Sequence, residues 1–271
     1  MSDTLHYYII SDSAGETALK VAKSVLSQFP TAETVLHRFT FIHDKSQLEE
    51  ILNQANQDDG LIFMTIVDMN LAHYVEKFCI KTGLICYNLI QPFMLEIQRR
   101  LNIKPSVKPG AQHELTDKYF ARVKAIEFCL NYDDGKDMSG INEADIILLG
   151  ISRTGKTPLS MYLGTLGYKV LNIPIIPEKE PPKELFNIPA YKIIGLTNDV
   201  KLINRHREKR MLECGLGRGS KYASNSRIEF ELEFAKSLYQ KLGCQTLNVA
   251  ERSIEESASI IIDLLDLPAK F

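Results

Sequence analysis

Short apolar runs alternate with longer amphipathic stretches from the first residues onward. Residues 5–10 form an apolar run of strand length, and apolar positions at helical spacing follow over 14–28. The alternation continues with a strand over 35–41, a helix over 45–56, a strand over 60–67, a helix over 70–81 and a strand over 84–90. A helix opens after Pro92. Strand and helix repeated in this way build a parallel sheet covered by helices. Residues 102–112 carry two prolines, one glycine and two lysines with neither period, which predicts an extended connection.

Beyond that connection the pattern resumes. It predicts an amphipathic helix over 116–131, an almost purely apolar strand over 144–149, a glycine-containing loop, a helix to about 167 and a strand over 169–173. A proline-rich, charged stretch over 177–189 reads as a surface loop or lid. A strand over 191–197 precedes a helix over 200–213 with a basic face of Arg205, Arg207 and Arg210. The Gly- and Ser-rich stretch 215–226 is a mobile-loop candidate, followed by a helix over 228–242 and a strand over 246–249. A last helix opens at Ser253, where Ser253 and Glu256 have capping-box spacing.

The composition narrows the chemistry. Hydrophobic residues make up 45% of the 271 and charged residues 24%, as in ordinary soluble globular proteins. With 32 basic against 34 acidic side chains, no global field draws nucleic acid or an anionic membrane, so any phosphate binding must be local. The five cysteines are an odd number without a CxxC pair, which argues against both a thiolate zinc site and a complete disulfide framework. Residues 1–6 lack a signal-peptide profile and no apolar run nears the roughly 18 residues of a membrane span. The cytoplasm is the expected compartment.

Gly150-Ile151-Ser152-Arg153-Thr154-Gly155-Lys156-Thr157 matches GxxxxGK[ST] at every fixed position, between an apolar strand and a helix. The glycines let successive N–H groups converge on an oxyanion, and the helix adds its positive end. All eight residues are therefore candidates for nucleotide binding. Lys156 supplies a point charge for the terminal phosphates, and Thr157 a hydroxyl for the Mg²⁺ that accompanies a nucleotide. An ordinary glycine turn is the alternative, but it does not need the Lys-Thr pair. Arg153 either stabilises a transferring phosphoryl group or points to solvent.

With this loop the sequence resembles the pyruvate, phosphate dikinase regulatory protein family, the bifunctional kinase/phosphorylases of bacteria and plants. The resemblance covers nearly the whole chain: Ser11-Asp12-Ser13-Ala14-Gly15-Glu16-Thr17, Lys108-Pro109-Gly110 with His113-Glu114, Tyr119-Phe120, Asp133-Asp134-Gly135, the 150–158 segment and Arg252-Ser253-Ile254-Glu255-Glu256. The family motif at Asp133 usually has a histidine before it; Tyr132 stands there, so no imidazole is expected at that point. The resemblance implies an ADP-dependent serine/threonine kinase that inactivates pyruvate, phosphate dikinase on a threonine while the neighbouring catalytic histidine is phosphorylated. It also implies the reverse step, with inorganic phosphate as acceptor and pyrophosphate as product. A sister branch acts on phosphoenolpyruvate synthase. A homodimer is kept open as the assembly, and no nucleic acid or membrane is expected as a partner.

The expected fold class is α/β: an N-terminal α/β domain with a mainly parallel sheet over 1–105, and a C-terminal P-loop kinase-like α/β domain over 106–271. Lys156, Arg153, Asp133 and Asp134 are the catalytic candidates. The two aspartates precede the P-loop strand, where one could accept the threonine proton; a solvated Asp-Gly turn is the other reading. Ser11, Ser13, Gly15 and Thr17 open a helix after a strand and could receive phosphate or target, or simply cap that helix. His113, near the domain junction, is either an acid/base or structural. The arginine face of 200–213 could grip phosphate or be solvated. A small-molecule P-loop kinase and a non-catalytic nucleotide sensor are the rival functions.

Overall fold

The computed structural model describes residues 4–113, 116–135, 137–215 and 221–270, and of His113 and Lys221 the backbone alone. The chain divides into two compact units, Met1–Glu114 and Leu115–Phe271.

The first unit runs β1 (Thr4–Ser11), α1 (Glu16–Leu26), β2 (Glu33–Phe39), α2 (Lys45–Gln57), β3 (Leu61–Thr65), α3 (Met69–Thr82), β4 (Cys86–Asn88) and α4 (Gln91–Leu101). Its four strands pair in the order β2-β1-β3-β4, all parallel. Successive side chains of a strand face opposite ways, so β1 serves two cores at once. Tyr8 and Ile10 pack with Leu48, Leu52 and Val75 of α2 and α3. Tyr7 and Ile9 pack with Ala18 and Ala22 of α1. The helices begin where the sequence offers a cap: Asp44 accepts from Gln47 N–H, and Asp68 from Asn70 and Leu71 N–H.

The connection over 102–112 folds back onto this unit. A side chain at Gly110 would stand 3.1 Å from Ser13 Oγ, and Gly110 has the positive φ (70°) that suits glycine. The chain divides into its compact units after residue 114, whereas the sequence expectation drew the boundary after 105.

The second unit contains α5 (Asp117–Asn131), β5 (Ile146–Gly150), α6 (Lys156–Thr165), β6 (Val170–Pro174), β7 (Ile193–Thr197), α7 (Val200–Glu213), α8 (Asn225–Leu242), β8 (Gln245–Asn248) and α9 (Ile254–Leu264). Its strands pair in the order β6-β5-β7-β8, again all parallel, so both units share one winding. The central strand β5 is buried throughout. Ile147 and Leu149 pack on Ile203, Ala235 and Tyr239, while Ile146 and Leu148 pack on Leu159, Leu163 and Ile261. In each sheet the chain leaves the first strand for a neighbour on one side and later returns to the other side. The crevice beyond the carboxyl end of that strand is the switch point where α/β proteins place ligands.

One expectation is corrected. Helix α8 begins at Asn225, because Ser224 accepts from Arg227 N–H, so the loop read over 215–226 is shorter; residues 216–220 lie outside the described residues. The stretch 177–189 runs along the surface as read, with Leu185 in a 3-10 turn (Lys183–Asn187) buried in the core. The capping box at Ser253 is present in both directions. Among the described residues no helix is long and apolar enough to cross a membrane.

Candidate functional site

The 150–157 loop joins β5 to α6 at the switch point of the second sheet. Two residues bend it through left-handed backbone, Arg153 at φ 74° and Gly155 at φ 83°. Thr154 Oγ1 and Lys156 Nζ both donate to the Ile151 carbonyl, at 2.9 and 3.1 Å, closing the loop on itself. Gly150 admits this closure because a Cβ there would come within 2.5 Å of Thr154 Oγ1. No side chain caps the start of α6, so its first N–H groups and dipole are free to face an anion.

Lys156 is almost wholly buried. Burial pushes its ammonium pKa down to about 8; Asp134 and Asp133 oppose that shift, and Arg207 and Arg153 add to it. Thr157, one residue on, is exposed, and its Oγ1 donates to Asp133 Oδ1 at 3.0 Å. Asn172 Nδ2 donates to the same Asp133 oxygen, and Asn172 Oδ1 accepts from Asp134 N–H at 3.0 Å. A short turn before β5, a buried strand residue of β6 and the first turn of α6 are thereby tied together. Asp134 sits at positive φ (58°) with its surface open to solvent.

These groups line a cleft of about 1080 Å³. Its walls include Pro174, Ile175 and Ile176 after β6, the α7 residues His206, Lys209 and Arg210, and Tyr222 and Arg227. The structure brings together Ser152, Arg153, Gly155, Lys156, Thr157, Asp133 and Asp134 around this space. Gly150, Ile151 and Thr154 stand behind them as buried loop framework.

The arginine face of α7 is not one face. Arg210 lines the cleft, Arg205 does not, and Arg207 is completely buried. This corrects the solvated reading for Arg207. Its guanidinium donates to Tyr222 O at 2.8 Å, Ser152 O at 3.2 Å and Glu231 Oε2 at 2.5 Å, and lies 4.5 Å from the Tyr222 ring centre. Its Nε has no partner among the described residues. Tyr222 in turn shares a 2.7 Å hydrogen bond with Ser152 Oγ. Arg227 makes a paired contact with Glu178 at 2.5 and 2.7 Å and a third with Glu231 at 2.6 Å, which holds its guanidinium pKa above the usual arginine range.

Sequence reasoning missed Asn172, Glu231 and Tyr222, and named Arg207 only as part of a basic helix face. Only Asn172 left a local signal, a lone amide in the otherwise apolar run Val170–Pro174.

In the first unit, Ser11, Ser13, Gly15 and Thr17 gather at the corresponding switch point and line a smaller cleft of about 170 Å³ with Lys108. Gly15 caps α1 at φ 70° and ψ 15°, closely matching Gly155 before α6 at φ 83° and ψ 14°. Ser11 Oγ donates to Thr65 O at 3.0 Å and accepts from Ser13 N–H at 3.1 Å, so it organises the loop. Asp12, which sequence reasoning passed over, accepts from Val67 and Asp68 N–H at 2.7 and 3.2 Å; burial raises its carboxyl pKa. His113 ends the turn Ala111–His113, and its side chain lies outside the described residues.

The profile of the family described as Kinase/pyrophosphorylase matches residues 7–262. A protein of Enterococcus faecalis is 44% identical over 260 residues, covering 96% of this chain and 94% of its own. One of Clostridioides difficile is 45% identical over 259 residues, covering 95% and 92%, and one of Lacticaseibacillus casei is 40% identical over 267, covering 98% and 97%. All three carry the name "Putative pyruvate, phosphate dikinase regulatory protein", the first with the suffix 2. With nearly the whole sequence matched on both counts, the chain belongs to the kinase/pyrophosphorylase family of pyruvate, phosphate dikinase regulatory proteins.

Proposed function

We propose that this protein moves phosphoryl groups on and off a threonine of pyruvate, phosphate dikinase, using ADP as donor and inorganic phosphate as acceptor. The observation that carries the reading is the convergence of Lys156, Thr157 and Asp133 at the uncapped start of α6. An ammonium, a hydroxyl and a carboxylate meeting at a helix N-terminus suit a nucleotide's terminal phosphate and its cation.

In the forward direction the threonine oxygen attacks the β-phosphorus of ADP. The bond to the bridging oxygen breaks and AMP leaves. Lys156 and the α6 N–H groups hold the phosphate oxygens, and Arg153 offsets charge that builds during transfer. Asp134, open to the cleft, accepts the threonine proton. In reverse, an oxygen of inorganic phosphate attacks phosphothreonine, threonine regains its proton and pyrophosphate departs. The Thr157 hydroxyl and Asp133 carboxylate are hard oxygen donors of the kind Mg²⁺ prefers, so they fit that ion. Bound there, Mg²⁺ supplies neutralisation of phosphate charge. Ser13, Gly15 and Thr17 are assigned a supporting role in receiving phosphate or target.

The test is to incubate the protein with histidine-phosphorylated pyruvate, phosphate dikinase and ADP, and to map the product by mass spectrometry. Phosphothreonine with release of AMP, reversed by inorganic phosphate with release of pyrophosphate, is the expected result. Absence of phosphothreonine, with phosphoenolpyruvate synthase as a parallel target arm, would refute the proposal for the dikinase.

A further inference from the structure

A second cluster of chemically capable side chains lies at the amino ends of the first sheet, away from the carboxyl-end loop that carries Ser11 to Thr17. His6 and Tyr8 share a face of β1, and the parallel register sets Tyr8 opposite His37 of β2. Asp58 follows α2 directly. His6 Nδ1 lies 3.0 Å from His37 Nε2 and 3.5 Å from Asp58 Oδ2, and His37 Nε2 lies 3.9 Å from the same oxygen. A circle through three atoms so spaced has a radius of about 2.0 Å, the length of a Zn–N or Zn–O bond. The three side chains are 18 to 29% exposed, which leaves an open side for water.

Two surrounding features favour an ion. Tyr8 O–H donates to Asp58 Oδ2 at 2.5 Å, orienting the carboxylate as outer-shell donors orient metal ligands. Among the described ion pairs, Asp58 meets imidazoles alone and no lysine or arginine.

We propose that His6, His37 and Asp58 form a binding site for a borderline divalent transition-metal ion of the Zn²⁺ class. Two imidazoles and one carboxylate are the donor types that such ions select over Mg²⁺ or Ca²⁺. The ion ties β1, β2 and the turn after α2 together, so its role is to brace the first unit, independent of phosphoryl transfer.

The test uses the full-length chain without an affinity tag, stripped of metal and free of nucleotide, titrated with zinc chloride against a chromophoric chelator. One site per chain is expected. Asp58→Asn and His37→Ala should abolish it, and Tyr8→Phe should weaken it roughly 10- to 100-fold. Zinc should raise the Tm of the wild type and leave that of Asp58→Asn unmoved. Cobalt(II) should give visible ligand-field bands without a near-ultraviolet thiolate band, separating this site from the five cysteines. If the variants fail to fold, the wild-type cobalt spectrum decides alone. No stoichiometric zinc binding by the folded wild type, binding retained by folded variants, or a thiolate band would each overturn the proposal.

Discussion

The hydroxyl of Thr157 donates to the Asp133 carboxylate at 3.0 Å, joining the first turn of α6 to a turn 24 residues earlier in the chain. Asn172 donates to the same carboxylate oxygen, so Asp133 is tethered from two elements and cannot swing freely into the cleft. Asp134 has no such tether on its side chain in the described hydrogen bonds and faces solvent. The adjacent aspartates therefore have different expected phenotypes. Asp133→Asn should raise the Mg²⁺ concentration needed for half-maximal activity, with little change at saturating ion. Asp134→Asn should lower kcat by on the order of 10²-fold or more at every Mg²⁺ concentration. Mg²⁺ titrations of both variants check this; interchanged phenotypes would reverse the assignment.

Gly150 and Gly155 are required for different reasons. At Gly150 an added Cβ would come within 2.5 Å of Thr154 Oγ1, with Leu196 Cβ and Lys156 Cδ at ordinary contact distance, while at Gly155 the space is open and only φ is unfavourable. Gly150→Ala should cost about 1–3 kcal/mol of stability by overpacking and displace the Thr154 hydroxyl from the Ile151 carbonyl. Gly155→Ala should cost about 1 kcal/mol through backbone strain. Urea unfolding of the two variants compares the costs.

Arg207 and Glu231 form a buried pair beneath the 150–157 loop. With Arg207 removed, Glu231 keeps its 2.6 Å contact with Arg227, so Arg207→Met should destabilise by less than the roughly 3–5 kcal/mol of a buried charge left without any partner. The double variant Arg207→Met with Glu231→Leu should recover part of that loss. Tyr222→Phe, which removes only the hydroxyl at Ser152, should leave stability nearly unchanged while raising KM for ADP. A double-mutant cycle and steady-state kinetics measure both effects.

Much of this site was legible because its parts are local. The strand, glycine loop, lysine and threonine of 150–157 occupy consecutive positions, and the capping box at Ser253 needs only four. Asn172, Arg207, Tyr222 and Glu231 reach the site across 15 to 55 residues, and their roles depend on strand order, which periodicity does not encode. The basic face of 200–213 misled for a related reason: charge at helical spacing looks solvated, yet α8 covers Arg207 with Glu231. The cluster of His6, His37 and Asp58 was equally hidden, since cysteine spacing is informative about thiolate sites and silent about scattered imidazoles.

Lys156 gives a pH signature of definite sign. Its folded-state pKa of about 8 lies below the ordinary lysine value of 10.5. Between those values the unfolded chain holds more protons than the folded one, so this group makes stability rise with pH across the window. Wild type should gain on Lys156→Met in urea unfolding from about pH 8 to 10. Phosphate oxygens favour the charged ammonium, so ADP affinity should fall as pH rises past about 8. A constant stability difference would contradict the buried placement.

Calorimetric titration of ADP with Mg²⁺ into the folded wild type and into Lys156→Ala probes the phosphate grip most directly. Saturable binding near neutral pH, one nucleotide per chain, and its loss in the folded variant are the expected results. A wild type that takes up no ADP, or a variant that binds it equally well, would contradict the assignment of the 150–157 loop.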